Sequence, residues 1–158
     1  MSLHYLHHAG GPSDDELLSD AIDDERRSRP VIVFPDGLIG CFDWKRFTLS
    51  PLPDDSGIVV LQSLDDPSVS FVLAPVVEVA PTFFEALAAD DRSRLALLGI
   101  KHNPAAELYC TITMHATGEL TANLLGPLVI DSRSGCGTQV VLADSGWSPR
   151  HVIPVTGE

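Results

Sequence analysis

"VVLQSLDDPSVSFVLAPV", residues 59–76, reads as two apolar strands joined by an acidic turn. Val59-Val60-Leu61 and Phe71-Val72-Leu73 carry the β-branched and aromatic side chains that suit a pleated backbone. Between them, Asp65-Asp66-Pro67 sets two carboxylates that resist burial beside a proline that cannot continue a helix. A hairpin follows from this pattern. Its adjacent acids admit three uses: an acid pair for catalysis, a metal loop, or a surface held by another protein.

The same texture recurs along the chain. "VIVF" (31–34), "RFTLSPL" (46–52), "LYCTITMH" (108–115), "LTANLLGPLVID" (120–131) and "TQVVLAD" (138–144) are short apolar runs bounded by turn residues, and each reads as a strand. In "YCTITM" the period of two turns Tyr109, Thr111 and Thr113 one way and Cys110, Ile112 and Met114 the other. Seven or so strands at this spacing predict a mainly β fold, a small antiparallel β-barrel-like domain or a sandwich, with one short helix. That helix is expected over about 90–98, within "PTFFEALAADDRSRLALLGIKHNP" (81–104). Leu95 and Leu98 would face the core, Asp90 and Asp91 would meet the positive helix start, and Gly99 would take the C′ position. Residues 83–88 fit a strand or a helix start equally well.

Residues 1–29 differ in composition and are expected to form an acidic, mobile leader to a domain spanning 30–158. "SDDELLSDAIDDERRSR" has Leu17, Leu18, Ala21 and Ile22 as its apolar stripe, with Ser13 and Glu16 spaced as a capping box. His4, His7 and His8 precede it and are read as a solvated tail rather than a metal site.

At 158 residues the chain is long enough for one domain with a core that needs no disulfide. Its formal charge of −12, from 22 acidic and 10 basic side chains, argues against direct nucleic-acid binding and would steer a basic partner toward it. Cys41, Cys110 and Cys136 form no C-x-x-C pair, so reduced thiols are expected and a zinc knuckle is not. No apolar run approaches the roughly 20 residues of a membrane span, and the N-terminus has no apolar signal region. A cytoplasmic protein without membrane contact is the expectation.

A search for catalytic patterns finds no G-x-S-x-G, H-E-x-x-H, Walker loop or G-x-G-x-x-G. The glycines of "SGCGTQ" (134–139) fit a tight hairpin turn around Cys136, and His102, His115 and His151 read as hydrogen-bonded surface groups. Asp54-Asp55, Asp65-Asp66 and Asp90-Asp91 stand beside turns or a helix start, which explains them without a shared proton. No catalytic residue, metal or cofactor is expected.

Four stretches together resemble the bacterial flagellar assembly factor FliW family. "FPDGLIGCFDWKRFTL" (34–49) is similar to that family's F-P-[ED]-G-L-x-G-F stretch, and "LQSLDDPSVSF" (61–71) to its L-Q-S-x-[ED]-[ED]-P run. "LTANLLGPLVIDSRSGCGTQVVL" (120–142) is similar to its T-x-N-L-x-x-P-[IL]-V-I segment, and "SPRH" (148–151) is close to its closing basic pair. The resemblance implies a small β-barrel without catalysis, a monomer when free. It further implies a protein that binds the RNA-binding translational repressor CsrA, and also newly made flagellin, so coupling flagellin synthesis to its secretion. Within those motifs the partner-contact candidates are Gln62, Asp65, Asp66, Phe71 and Asn123. Two departures stand out: the family's opening strand has no residue-by-residue match in 1–29, and Asp131 stands where the family often has Asn. The rival readings are a small-molecule-binding β-barrel and a hydrolase using Cys136 or His115.

Overall fold

A computed structural model describes residues 29–54 and 56–154. They form one sheet of strands β1 (Val31–Val33), β2 (Arg46–Pro51), β3 (Val59–Ser63), β4 (Ser70–Pro75), β5 (Ala106–Met114), β6 (Leu120–Ala122), β7 (Leu128–Asp131), β8 (Cys136–Gln139) and β9 (His151–Ile153). Helices α1 (Val76–Val79) and α2 (Ala89–Leu97) lie between β4 and β5. A compact unit begins at Val31. The histidines and the capping box drawn within 1–28, and Asp55, lie outside the described residues.

Seven strands close into a barrel in the order β4-β3-β2-β1-β8-β7-β5, with β4 pairing β5 to complete the ring. Every pairing is antiparallel except β1 with β8, which run parallel where Val33 meets Cys136. The long strand β5 organises the rest. Its first half, Ala106 to Tyr109, pairs with β7, whereas its second half, Ile112 to Met114, pairs with β6. β9 then adds outside β6.

The alternation along these strands sorts side chains into two cores. Ile32, Phe34, Phe47, Leu61, Leu73, Tyr109, Leu128 and Ile130 fill the barrel interior. Ala74, Leu108, Cys110 and Val129, one position out of phase, join Val76, Phe83, Leu87, Leu95, Leu124 and Leu142 in an outer layer. Both faces of these strands are therefore covered, which is why "LVI" (128–130) is an unbroken apolar run rather than an alternating one. The interior is occupied by side chains, among them Ile32, Phe34, Phe47, Leu61 and Ile130.

Helix α2 ends as its sequence dictates. Gly99 has φ 98°, its N–H donates to Ala96 O at 3.0 Å, and the Ile100 N–H donates to Leu95 O at 3.1 Å. This double bond pattern, with Leu95 and Ile100 both buried, satisfies the orphan carbonyls of the last turn and staples the chain reversal. Burying Leu95 contributes about 2 kcal/mol. Two residues later, Lys101 takes φ 71°, a left-handed backbone that costs a residue with a Cβ on the order of 1 kcal/mol.

Several expectations need correction. Leu98 is 38% exposed, and Ile100 fills the core position instead, because the C-terminal turn bends the chain after Leu97. Residues 120–131 are two strands: Asn123 Oδ1 accepts the N–H groups of Leu125 and Gly126 at 3.1 and 2.9 Å, folding the chain out of the ladder. The strand drawn over 138–144 begins earlier and stops at Gln139, and the chain then follows 125–127 through single bonds from Val140 N–H to Pro127 O and Leu142 N–H to Leu125 O. Residues 83–88 are neither strand nor helix but successive turns. Of the two glycines around Cys136, Gly135 does serve the turn (φ 74°), whereas Gly137 lies within β8 opposite Ile130. Helix α1 and strand β9 went unread, being four and three residues long.

Candidate functional site

The β3–β4 hairpin forms with Val59 opposite Leu73 and Leu61 opposite Phe71, as its sequence requires. Its polar residues are largely consumed in building it. Gln62 donates through Nε2 to Pro67 O and Val69 O, both at 2.9 Å, so the amide closes its own turn. Asp66 accepts the Ser68 N–H at 3.0 Å and the Ser68 hydroxyl at 2.7 Å, and these bonds, the hydroxyl first, lower its carboxyl below the ordinary range.

Asp65 reaches furthest. Its Oδ2 accepts the backbone N–H groups of Lys45 and Arg46 at 2.8 and 3.0 Å, and its Oδ1 accepts Arg46 Nε and Nη2 at 3.2 and 3.0 Å. The Lys45 and then the Arg46 amide, followed by the guanidinium, hold the carboxyl at about 2. Asp65 thus ties the hairpin turn to the entry of β2. Because this pKa is depressed, the stabilisation is complete above the ordinary value of 3.8 and is lost as pH falls from there through about 2. Asp65→Asn should therefore lower the thermal midpoint at pH 7, and the gap between variant and parent should close by about pH 2. A gap that persists unchanged into acid would assign the effect to shape rather than charge.

Asp131 shows the same economy. Its Oδ1 accepts the N–H groups of Arg133 and Ser134 at 2.9 and 3.1 Å, and its Oδ2 accepts Asn103 Nδ2 at 2.8 Å. Asparagine could cap the β7–β8 turn in the same way, so this departure from the family pattern is conservative for the backbone.

Phe71, on β4 of the same hairpin, and Asn123 lie on the wall of a surface groove of about 410 Å³. Val72 from β4, Ile112 and Met114 from β5, and Leu38 and Ile39 from the 34–45 loop add apolar lining, and Thr111, Thr113 and Gln139 add polar lining. Phe71 is half-buried and meets Phe47 edge to face at 6.3 Å, while Met114 is 73% exposed. The loop bearing Ile39 is shaped by glycine. Gly37 has φ 69°, and a Cβ there would stand 2.6 Å from Phe42 O. Gln139 braces the loop from below, accepting the Ile39 N–H at Oε1 (2.8 Å) and donating to Gly126 O (2.9 Å).

The groove brings together two of the five candidate residues, and three stay with the hairpin. Val72, Ile112, Met114 and Ile39 line the groove as well and were not singled out from the sequence. A signal existed: Cys110, Ile112 and Met114 share one face of β5, and an apolar stripe that runs on past the buried part of a strand ends in solvent.

Among the described residues the groove is lined by one thiol, Cys41, and by no His, Asp, Glu, Lys or Arg. Cys110 is buried beside Ala74 O, and burial pushes its thiol up to about 12, far from thiolate chemistry. His115 is bonded to Thr121 Oγ1 at 2.8 Å. Among the described residues no group of three or more His, Cys, Asp or Glu is placed to hold a metal ion, and no helix is long and apolar enough to cross a membrane.

The FliW protein family model matches residues 21–153, starting inside the stretch read as a leader. The chain is 33% identical over 135 residues to the flagellar assembly factor FliW of Bacillus subtilis, covering 84% of this chain and 90% of that protein. It is 35% identical over 131 residues to the Bacillus licheniformis factor of the same name, covering 81% and 87%. A crystal structure of the flagellar assembly factor FliW superposes with a TM-score of 0.63 at 27% identity, over 83% of this chain and 90% of that one. With the motifs in order, the barrel formed and relatives matched along most of their length, the chain belongs to the FliW family of flagellar assembly factors.

Proposed function

We propose that this protein acts by binding, without catalysis, and that its partners are the translational repressor CsrA and flagellin. Family membership over residues 21–153 is the observation that carries this reading. Physical support comes from charge and surface. A chain of net charge −12 attracts a repressor that must present a basic face to RNA. The groove offers exposed Ile39, Val72 and Met114 around a half-buried aromatic ring, the mixture of adaptable and rigid apolar contacts that protein interfaces favour. Phe71 and Asn123 serve this groove, while Gln62, Asp65 and Asp66 set the hairpin beside it and the two aspartates lend it negative charge.

Calorimetric titration with CsrA and, separately, with flagellin from the same organism tests the reading. Saturable binding to both, weakened by salt for CsrA, with flagellin displacing CsrA, is the expected result. No complex with either at low salt would overturn it. Met114→Ala should weaken the partner seated in the groove about tenfold, the effect of trimming one interface anchor. Because Met114 is 73% exposed, stability should stay within about 0.5 kcal/mol. An unchanged affinity would move that partner off the groove.

A further inference from the structure

A second cavity, of about 240 Å³, opens outside the barrel beneath the C-terminal half of α2. Leu95, Ala96 and Ile100 form its wall and Phe84 one side; the surface inside is almost wholly apolar, with exposed Arg92, Lys101 and His102 at its edge. No carboxylate lines it, on a chain whose acids outnumber its bases 22 to 10. The cations are also held in place. Lys101 Nζ stands 4.2 Å over the centre of the Phe84 ring, which is itself fixed edge-on to Phe83 at 5.5 Å. Arg92 spends Nη2 on Phe84 O and Leu87 O, at 3.2 and 3.0 Å, leaving its Nε and Nη1 protons without a bond among the described residues.

The backbone adds an independent sign. Lys101 is the non-glycine residue at positive φ among the described residues, and glycine would hold that turn with less strain. That backbone sets the Lys101 ammonium group over the Phe84 ring.

We propose that this cavity binds a small organic anion, an aromatic or branched aliphatic carboxylate, with its hydrocarbon against Leu95, Ala96 and Ile100 and its carboxylate between Arg92 and Lys101. The volume supports a single ring or a short branched chain. It exceeds the roughly 150 Å³ that accepts benzene and falls short of the roughly 300 Å³ where drug-sized sites begin. An apolar wall alone would accept a neutral ligand equally well. Arg92 and Lys101, both exposed at the edge of the cavity, would favour a ligand whose negative end lies at its mouth.

Methyl-detected NMR titration of the full chain with phenylacetate and with 4-methylpentanoate tests this, with phenylacetamide as the neutral match to the first. Saturable shifts at Leu95 and Ile100 are expected for at least one acid, and if phenylacetate binds, phenylacetamide should bind about tenfold more weakly. Lys101→Gly should weaken the acid about tenfold while leaving the thermal midpoint level or higher, since glycine relieves the left-handed backbone. Ala96→Leu should fill the cavity and abolish the shifts. Failure of both acids to shift these methyls at about 10 mM, equal affinity for acid and amide, or full binding by the folded Lys101→Gly variant would each overturn the proposal.

Discussion

Gly137→Ala is expected to destabilise the protein by about 3 kcal/mol, the upper end of what overpacking a core costs. Gly137 pairs with Ile130, so the two share a face, and that face is the barrel interior. A Cβ at this position would stand 2.4 to 2.6 Å from three carbons of the Phe34 ring. That ring is fully buried and packs edge to face on Phe47 at 5.5 Å, so it has nowhere to retreat. The absent side chain of β8 is the space that Phe34 occupies. Phe34→Leu should therefore relieve Gly137→Ala. In urea denaturation the double variant should lose clearly less than the sum of the two single losses. Strict additivity would show that the damage arises from strand propensity and not from the ring.

Asp91→Ala is expected to cost about 2–3 kcal/mol, because it strips a buried charged acceptor from two donors. Asp91 is wholly buried in the first turn of α2. Its Oδ2 accepts the Ser145 hydroxyl at 2.6 Å and the Asp144 N–H at 3.2 Å, while Ser145 Oγ accepts the Ala88 N–H at 2.9 Å. Arg94, half-exposed, approaches Oδ1 at 3.5 Å. One carboxylate thus fastens the helix start to the loop after Leu142. Asp91→Asn keeps an acceptor oxygen and should lose about half as much. Faster amide exchange at Ser145 and Ala88 should accompany the alanine variant. A loss below about 0.5 kcal/mol, the level of an ordinary surface change, would show that the network carries little.

Asp91 also marks where sequence reading reaches its limit. Its position in the first helical turn is legible, and the helix dipole explains a carboxylate there. Nothing local reveals that Ser145, 54 residues away, will enclose it. The β3–β4 hairpin stands at the other extreme. Its strands, its turn and its register follow from neighbouring residues, because apolar runs and Asp-Asp-Pro leave few alternatives. Gly99 was equally legible, since its role depends on backbone conformation within one turn.

The candidate site divides along the same line. Asp65 looked like a surface acid because its adjacent residues form a turn, yet Lys45 and Arg46, about 20 positions earlier, supply its partners. Phe71 and Asn123 come from separate motifs, and they share a groove because β4 closes onto β5. The Gly137 reading failed for a related reason. A glycine between turn residues is ambiguous until the residue that needs its space, Phe34, is known to lie beside it.

By itself, then, the sequence determined the class of fold, the hairpin, the end of α2, the acidity that suits a basic partner and the family, since each rests on spacing within a few residues or on the count of charges. Tertiary structure alone decided that the ring contains a parallel β1–β8 contact and closes through β4 and β5, that acids written as solvated turns are tied to distant amides, and that a groove of mixed polarity and a cation-rimmed cavity open on the surface. Those features join residues far apart in the chain, and neither periodicity nor propensity carries information about which distant segments meet.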